Sequence, residues 1–240
     1  MNRRQVLKTL TVAAATAIDR RAQGSVPGRK YKVVIAGGRP GYPEYGCGGT
    51  VARLTGLGHE VVLLYLNDGA WETSAAVRMA EAKNACEILK ARPAYAHQTN
   101  GHSIVDNDHY RAFQKILENE SPDAVITHWP IDMHPDHRAI TNLAFEAWKQ
   151  LGRKFALYYY EVGEDTQQFP APTYYVDISG VVDTKKAACY AHASQTPDHY
   201  YPIEDTMAAF RGLECGKARA EAYIRQIGNP SEILEKMGLT

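Results

Sequence analysis

Short apolar runs without polar alternation recur along this chain, and each hands over to a polar or glycine-rich loop and then to a segment of helix length. The first, Tyr31-Lys32-Val33-Val34-Ile35-Ala36, has the β-branched composition of a strand buried on both faces. Gly37 to Glu44 follows and is too rich in glycine and proline for helix; the spacing predicts a helix opened by Gly46-Cys47-Gly48-Gly49 and running to Leu57, with Gly58 as its stop. The same reading predicts a strand over Glu60–Leu66, helices over Thr73–Lys90 and Asp108–Asn119, a strand over Asp123–Thr127 and a helix over His137–Leu151. Strands over Phe155–Tyr160 and Tyr174–Ile178 then precede two closing helices, Val182–Ala193 and Ile203–Gln226. Alternation of this kind predicts a single α/β domain with a mostly parallel sheet and helices on both faces, joined by right-handed crossovers. Ligands of such sheets bind outside the carboxyl ends of the strands. Two loops of unusual chemistry leave strand ends here, Gly37–Gly49 and His128–His137.

Acidic and basic side chains balance, 27 against 27, so the chain lacks the electrostatic footprint of a protein that binds nucleic acid or an anionic membrane surface. The net charge says nothing about local charge, and a small-molecule or glycan site could still be strongly polar. Tyrosine outnumbers phenylalanine 15 to 5, which suits either amphipathic packing or contacts with a polar ring. Cys47, Cys86, Cys189 and Cys215 lie far apart with no CxxC pair and read as buried free thiols. Residues 1–29 read as leader and linker: Arg3-Arg4-Gln5-Val6-Leu7-Lys8 resembles a twin-arginine signal, and the apolar stretch Leu10–Ile18 is too short to span a bilayer. The folded domain is then expected over residues 30–240, exported or periplasmic and with no stable membrane insertion after cleavage; if the leader is not a signal, the chain stays cytoplasmic.

The second loop carries the densest chemistry. His128, Asp132, His134, Asp136 and His137 fall within ten residues at a strand-to-helix junction. Neutral imidazoles suit zinc, and a neighbouring carboxylate either ligates or fixes a ring's tautomer. A helix cap accounts for Asp136, contributing about 0.5–2 kcal/mol, but not for the cluster.

From Asp123 to Ala139 this stretch resembles the second motif of the LmbE/PIG-L family of zinc-dependent N-deacetylases. Gly46-Cys47-Gly48-Gly49-Thr50, Gly58-His59-Glu60-Val61, Arg78 with Glu81, His192 to Gln195 and Arg211 to Gly216 resemble further family segments in the same order. The resemblance spans Tyr31 to about Arg225 and implies a Rossmann-like fold and hydrolysis of the acetamide C–N bond of an N-acetylated sugar or related molecule. In the family the first loop reads His-Pro-Asp-Asp, where the His and the second Asp ligate zinc and the first Asp is the general base. Carried over through Gly46–Gly49, those positions hold Arg39, Gly41 and Tyr42. The third ligand falls on His137, the proton donor and oxyanion stabiliser on His134, and its supporting carboxylate on Asp136.

Arginine offers no lone pair and stays protonated, glycine is no base, and a catalytic zinc needs three protein ligands and an open position. Three readings of the altered loop follow. A rebuilt metal site would draw on His128, Asp132, His134 and His137, with Glu44 or Asp136 as base. A metal-free pocket would bind a sugar or acidic ligand through Arg39, with Tyr42, Glu44, Asp132 and Gln195 as further contacts and Tyr45 as an aromatic wall; Arg39 would otherwise pair with Asp132 or Asp136. In the third, Arg39, Tyr42 and Tyr45 only fill the mouth. Plain structural roles also account for Arg78 with Glu81 as an i, i+3 pair, for His192 as a core histidine and for Asp68-Gly69 as a turn.

Overall fold

The apolar runs become the middle of a twisted sheet in a computed structural model that describes residues 28–163, 169, 171–230 and 232–239. The twin-arginine-like segment lies outside the described residues. In chain order the elements are β1 (Lys32–Gly37), α1 (Tyr42–Gly56), β2 (Glu60–Asn67), α2 (Ala75–Leu89), β3 (Arg92–Gln98), α3 (Asn107–Glu120), β4 (Ala124–His128), α4 (Pro135–Gln150), β5 (Ala156–Tyr160), β6 (Tyr174–Asp177), α5 (Val182–Tyr190), α6 (Pro197–Cys215), β7 (Ala220–Arg225) and the short α7 (Ile233–Lys236). The strand order is β3-β2-β1-β4-β5-β7-β6. The β1 to β5 pairings are parallel, whereas β7 runs antiparallel to β5 and β6. The result is the expected single α/β domain with a mostly parallel sheet.

Alternate residues of β1 feed two cores. Val33 and Ile35 pack with Val51 and Leu54 of α1, Ala82 and Cys86 of α2 and Cys189 of α5. Val34 and Ala36 pack with Phe113 and Leu117 of α3 and Ile140, Leu143 and Trp148 of α4. A strand covered on both faces has no use for a polar alternate, which is why the runs read as unbroken. The cysteines are free, with Cys47, Cys86 and Cys189 buried and Cys215 half-buried. No helix among the described residues is long and apolar enough to cross a membrane.

Three elements differ from the expectation. Helix α1 begins at Tyr42, four residues before Gly46. Pro43 sits in the first turn, where a missing N–H is harmless, and Glu44 accepts the Gly41 N–H at 3.1 Å, closing the start of the helix. Strand β3 has no counterpart in the sequence reading; it is the sheet's edge, partly exposed and carrying Pro93, the place where a proline is tolerated in a sheet. The long closing helix is in fact two elements: α6 starts at Pro197 and carries Pro202 inside its first turns, Gly216 ends it in the left-handed conformation (φ 73°), and Ala220–Arg225 is β7.

Candidate functional site

Strands β1 and β4 are neighbours with β2 beyond β1, so the loops at their carboxyl ends meet where the winding of the sheet reverses. Gly37 and Gly38 let the first loop lie directly on the second. A Cβ at Gly38 would stand 2.8 Å from His137, and one at Gly37 would stand 2.7 Å from Pro43. The Gly38 N–H donates to His128 Nε2 at 3.1 Å, and the Tyr160 hydroxyl lies 3.0 Å from the same nitrogen.

Helix α4 orders the second loop. His134 is its N-cap: its Nδ1 accepts the Asp136 N–H at 3.1 Å. That bond puts the proton of the neutral ring on Nε2, leaving an N–H donor on the side of the ring free of the helix. Asp132 accepts the His134 N–H at 2.8 Å and lies 2.9 Å from His137 Nδ1. Asp136 accepts from the Asn67 amide at 3.1 Å and from the Gly101 N–H at 2.8 Å, tying α4 to the ends of β2 and β3.

The histidines form a stack. His128 and His137 lie 3.6 Å apart with planes 6° from parallel, and the Tyr42 ring meets His137 edge-on at 4.1 Å. Burial, first of all, pushes both imidazoles well below the usual histidine range; His137 lowers His128 further against the opposing pull of Asp132, and His134, Arg39 and Arg138 add to the effect on His137. Both rings are neutral. His128, Asp132 and His137 each offer a ligand atom, all within 4.8 Å of one another and all buried.

These residues do not fit a catalytic zinc as arranged. Ring nitrogens ligate along lone pairs in the ring plane at about 2.0–2.1 Å; two nearly parallel planes 3.6 Å apart aim those lone pairs side by side, not at one ion. Both rings are fully buried, and the Tyr42 ring packs edge-on against His137. In the first loop Arg39 and Gly41 offer no side-chain lone pair to a metal, and the Tyr42 hydroxyl accepts from Arg39.

Above the stack lies a pocket of about 260 Å³, walled by Arg39, Tyr42, Tyr45, Arg78, His134 and Gln195 together with Tyr200, Ile203 and Glu204 of α6. Arg39 donates to the Tyr42 hydroxyl at 2.8 Å and its guanidinium lies 4.9 Å from that ring's centre. Among the described residues no carboxylate pairs with it, so the anticipated bridge to Asp132 or Asp136 is not formed. Arg78 pairs with Glu81 at 2.9 Å as expected and also donates to the Pro40 carbonyl, bracing the loop.

Arg39, Tyr42, His134 and Gln195 are thus brought together at the pocket. Asp132, Asp136, His137 and Glu44 are buried and are not among the residues that line it. Glu44 is enclosed by its partners: it accepts from Tyr65 at 2.6 Å and pairs with His192 at 3.0 Å. Burial alone would raise its carboxyl, but His192 and Tyr65 more than offset this and hold it below the usual range. His192 is the core histidine foreseen. Glu204 and Tyr200 were missed; a glutamate on a helix carries no local mark that its face is covered.

Residues 43–148 match the family described as GlcNAc-PI de-N-acetylase (PIG-L). A diacetylchitobiose deacetylase of Thermococcus kodakarensis is 30% identical over 216 residues, covering 79% of this chain and 81% of that protein. The chain belongs to the PIG-L (LmbE-like) de-N-acetylase family. Its fold is similar to the conserved protein TT1542 of Thermus thermophilus, with a TM-score of 0.73 at 25% identity over 81% of this chain and 94% of that one. It is likewise similar to the N,N'-diacetylchitobiose deacetylase of Pyrococcus horikoshii, with a TM-score of 0.72 at 24% identity over 85% of this chain and 88% of that one.

Proposed function

We propose that this member of the deacetylase family binds a sugar or related small molecule through an acidic substituent held by Arg39, and that the family's metal-dependent hydrolysis does not run through its first loop. The observation that carries this reading is Arg39 itself, a fixed cation in the pocket wall with a tyrosine hydroxyl and no carboxylate for a partner among the described residues. Its planar fork suits a carboxylate or phosphate held by two parallel hydrogen bonds. His134 adds the Nε2–H donor, and Tyr42 and Tyr45 add aromatic walls for a sugar ring. A volume of about 260 Å³ lies at the small end for ligand pockets, which begin near roughly 300 Å³, and so suits one sugar ring better than a chain of them. The sugar class comes from the relative named a diacetylchitobiose deacetylase. The leader-like residues 1–29 support export of residues 30–240.

The test compares N-acetylglucosamine 6-phosphate with N-acetylglucosamine by calorimetry. The phosphate form is expected to bind at least tenfold more tightly, and Arg39→Gln to remove that advantage. Equal affinity of the two sugars for the wild type would refute the reading.

A second reading, acetamide hydrolysis at a rebuilt centre, is favoured by the close approach of His128, Asp132 and His137. Stoichiometric zinc in the purified protein, with hydrolysis of N,N'-diacetylchitobiose abolished by chelation and by His137→Ala, would establish it and retire the first. If the first reading holds, that hydrolysis is absent from the wild type and arises only when Arg39→His, Gly41→Asp and Tyr42→Asp are combined.

A further inference from the structure

The same pocket has a second pole. Helix α6 contributes to its lining and presents Glu204, whose residue is only 5% exposed. One carboxylate oxygen accepts the Gly163 N–H at 2.6 Å, and among the described residues the other accepts nothing. Tyr45, 7% exposed, lines the same wall with a buried hydroxyl that has no hydrogen-bond partner among them. A buried polar group without a partner is costly, and the Tyr45 hydroxyl, close enough to Glu204 to feel its charge, stands in the same pocket lining as a carboxylate with an unused acceptor, which makes this wall the place for a ligand's polar group.

Charge narrows the chemistry. Three buried carboxylates cluster behind this wall, and two of them own a cation: Glu221 pairs with Lys185 at 2.8 Å, and Glu161 holds Arg211 through two bonds of 2.6 and 2.8 Å. Glu204 is the third and has none among the described residues. Burial raises its carboxyl to about 7; Lys185 and the Gly163 N–H pull the other way, while Glu161 and Glu221 push it up further. A hydroxyl would supply a hydrogen bond there, but only a cation supplies the missing charge.

We propose that Glu204 and Tyr45 form a specificity-determining pole that selects a ligand bearing a free amino group, so that the preferred ligand is an amino sugar, or a small amine of similar size, with its acidic substituent on Arg39. This rests on the reading of Arg39 as an anion site and assigns the opposite end of the ligand. A pocket built this way prefers the deacetylated form of an amino sugar to the acetylated one, since an acetamide brings no charge to Glu204.

Four probes separate the two claims: glucosamine 6-phosphate, N-acetylglucosamine 6-phosphate, glucose 6-phosphate and glucosamine, each titrated into the full chain near pH 7.5. The expected result is that glucosamine 6-phosphate binds roughly tenfold or more tightly than the acetylated and hydroxyl counterparts, the usual scale of one charge-assisted bond. Glu204→Gln should bring the three phosphates to parity, and Tyr45→Phe should narrow the gap without touching the carboxylate. If the three phosphates bind the wild type equally well, the Glu204 proposal fails and the Arg39 reading stands. Glucosamine binding as tightly as its phosphate removes the Arg39 reading and leaves the Glu204 pole. Binding of none of the four overturns both. Because the preference is read on the wild type, a variant that fails to fold does not shield the proposal.

Discussion

At the scale of single residues, His134 does two jobs that one substitution can separate. Its Nδ1 caps α4 through the Asp136 N–H, and its remaining nitrogen belongs to the pocket wall. Asparagine is as good an N-cap and substituting a cap by alanine costs about 1 kcal/mol, but asparagine's short amide cannot place a donor where Nε2 lies. His134→Asn is therefore expected to melt within about 0.5 kcal/mol of the wild type while binding N-acetylglucosamine 6-phosphate several-fold more weakly; His134→Ala should lose both. Thermal denaturation beside calorimetry checks this, and an asparagine variant as unstable as the alanine one would show that the cap is not the stabilising role. The identity of this residue, with Arg39, Tyr42 and Gln195, was legible in the sequence because each belongs to a short motif at a strand end or helix start. The directions of the side chains were not. Glu44 and Asp132 stand in the same motifs and turn inward, Glu44 to Tyr65 and His192, and Asp132 to His137, partners that only the folded chain brings near.

At the scale of elements, the buried strands β1, β2, β4 and β5 were legible because burial on both faces leaves no room for polar alternates. Edge strand β3 and antiparallel β7 were not: Arg92–Gln98 is only partly buried, and Ala220–Arg225 follows a helix closely enough to read as its continuation. The start of α1 was masked by glycines whose reason is packing. Gly49 is one of them; a Cβ there would stand 2.6 Å from Ile178 Cγ2 and 2.7 Å from its Cβ. Gly56, at the exposed end of the same helix, has nothing within 4 Å. Alanine in a helix is favoured over glycine by roughly 0.5–1 kcal/mol, whereas overpacking costs typically about 1–3 kcal/mol. The two substitutions should thus have opposite signs, Gly56→Ala raising the unfolding midpoint in urea and Gly49→Ala lowering it. A Gly49→Ala midpoint at or above the wild-type value would mean that Ile178 yields freely and that the close approach of α1 to Ile178 is not required.

At the scale of the whole molecule, the pocket joins the carboxyl edge of the parallel half of the sheet to a helix, α6, packed on the antiparallel half, and Glu204 is where that junction becomes visible in global stability. Its carboxyl titrates near 7 in the folded chain, burial being the main cause, against an ordinary 4.5. Below 4.5 both folded and unfolded chains hold this proton and the group is neutral to folding. As pH rises from there the unfolded chain releases it while the folded chain does not, so stability falls until the folded carboxyl also ionises near 7. A shift of this size corresponds to a loss on the order of 3 kcal/mol. Glu44, held below the usual range, works in the opposite sense: its contribution is present above the ordinary value and disappears as pH falls through its lowered one. The raw pH profile therefore mixes the two, and the informative quantity is the difference between wild type and Glu204→Gln. Urea unfolding from about pH 4 to about pH 8 should show the variant gaining on the wild type steadily across that interval, most of the gain lying between 4.5 and 7, and a constant offset would show that the Glu204 carboxyl titrates alike in the folded and unfolded chains. The same penalty is what a ligand's amino group relieves, so in the wild type at about pH 8 glucosamine 6-phosphate should raise the unfolding midpoint more than N-acetylglucosamine 6-phosphate does at equal concentration. In Glu204→Gln the two should act alike, because the charge that distinguishes them has lost its counterpart.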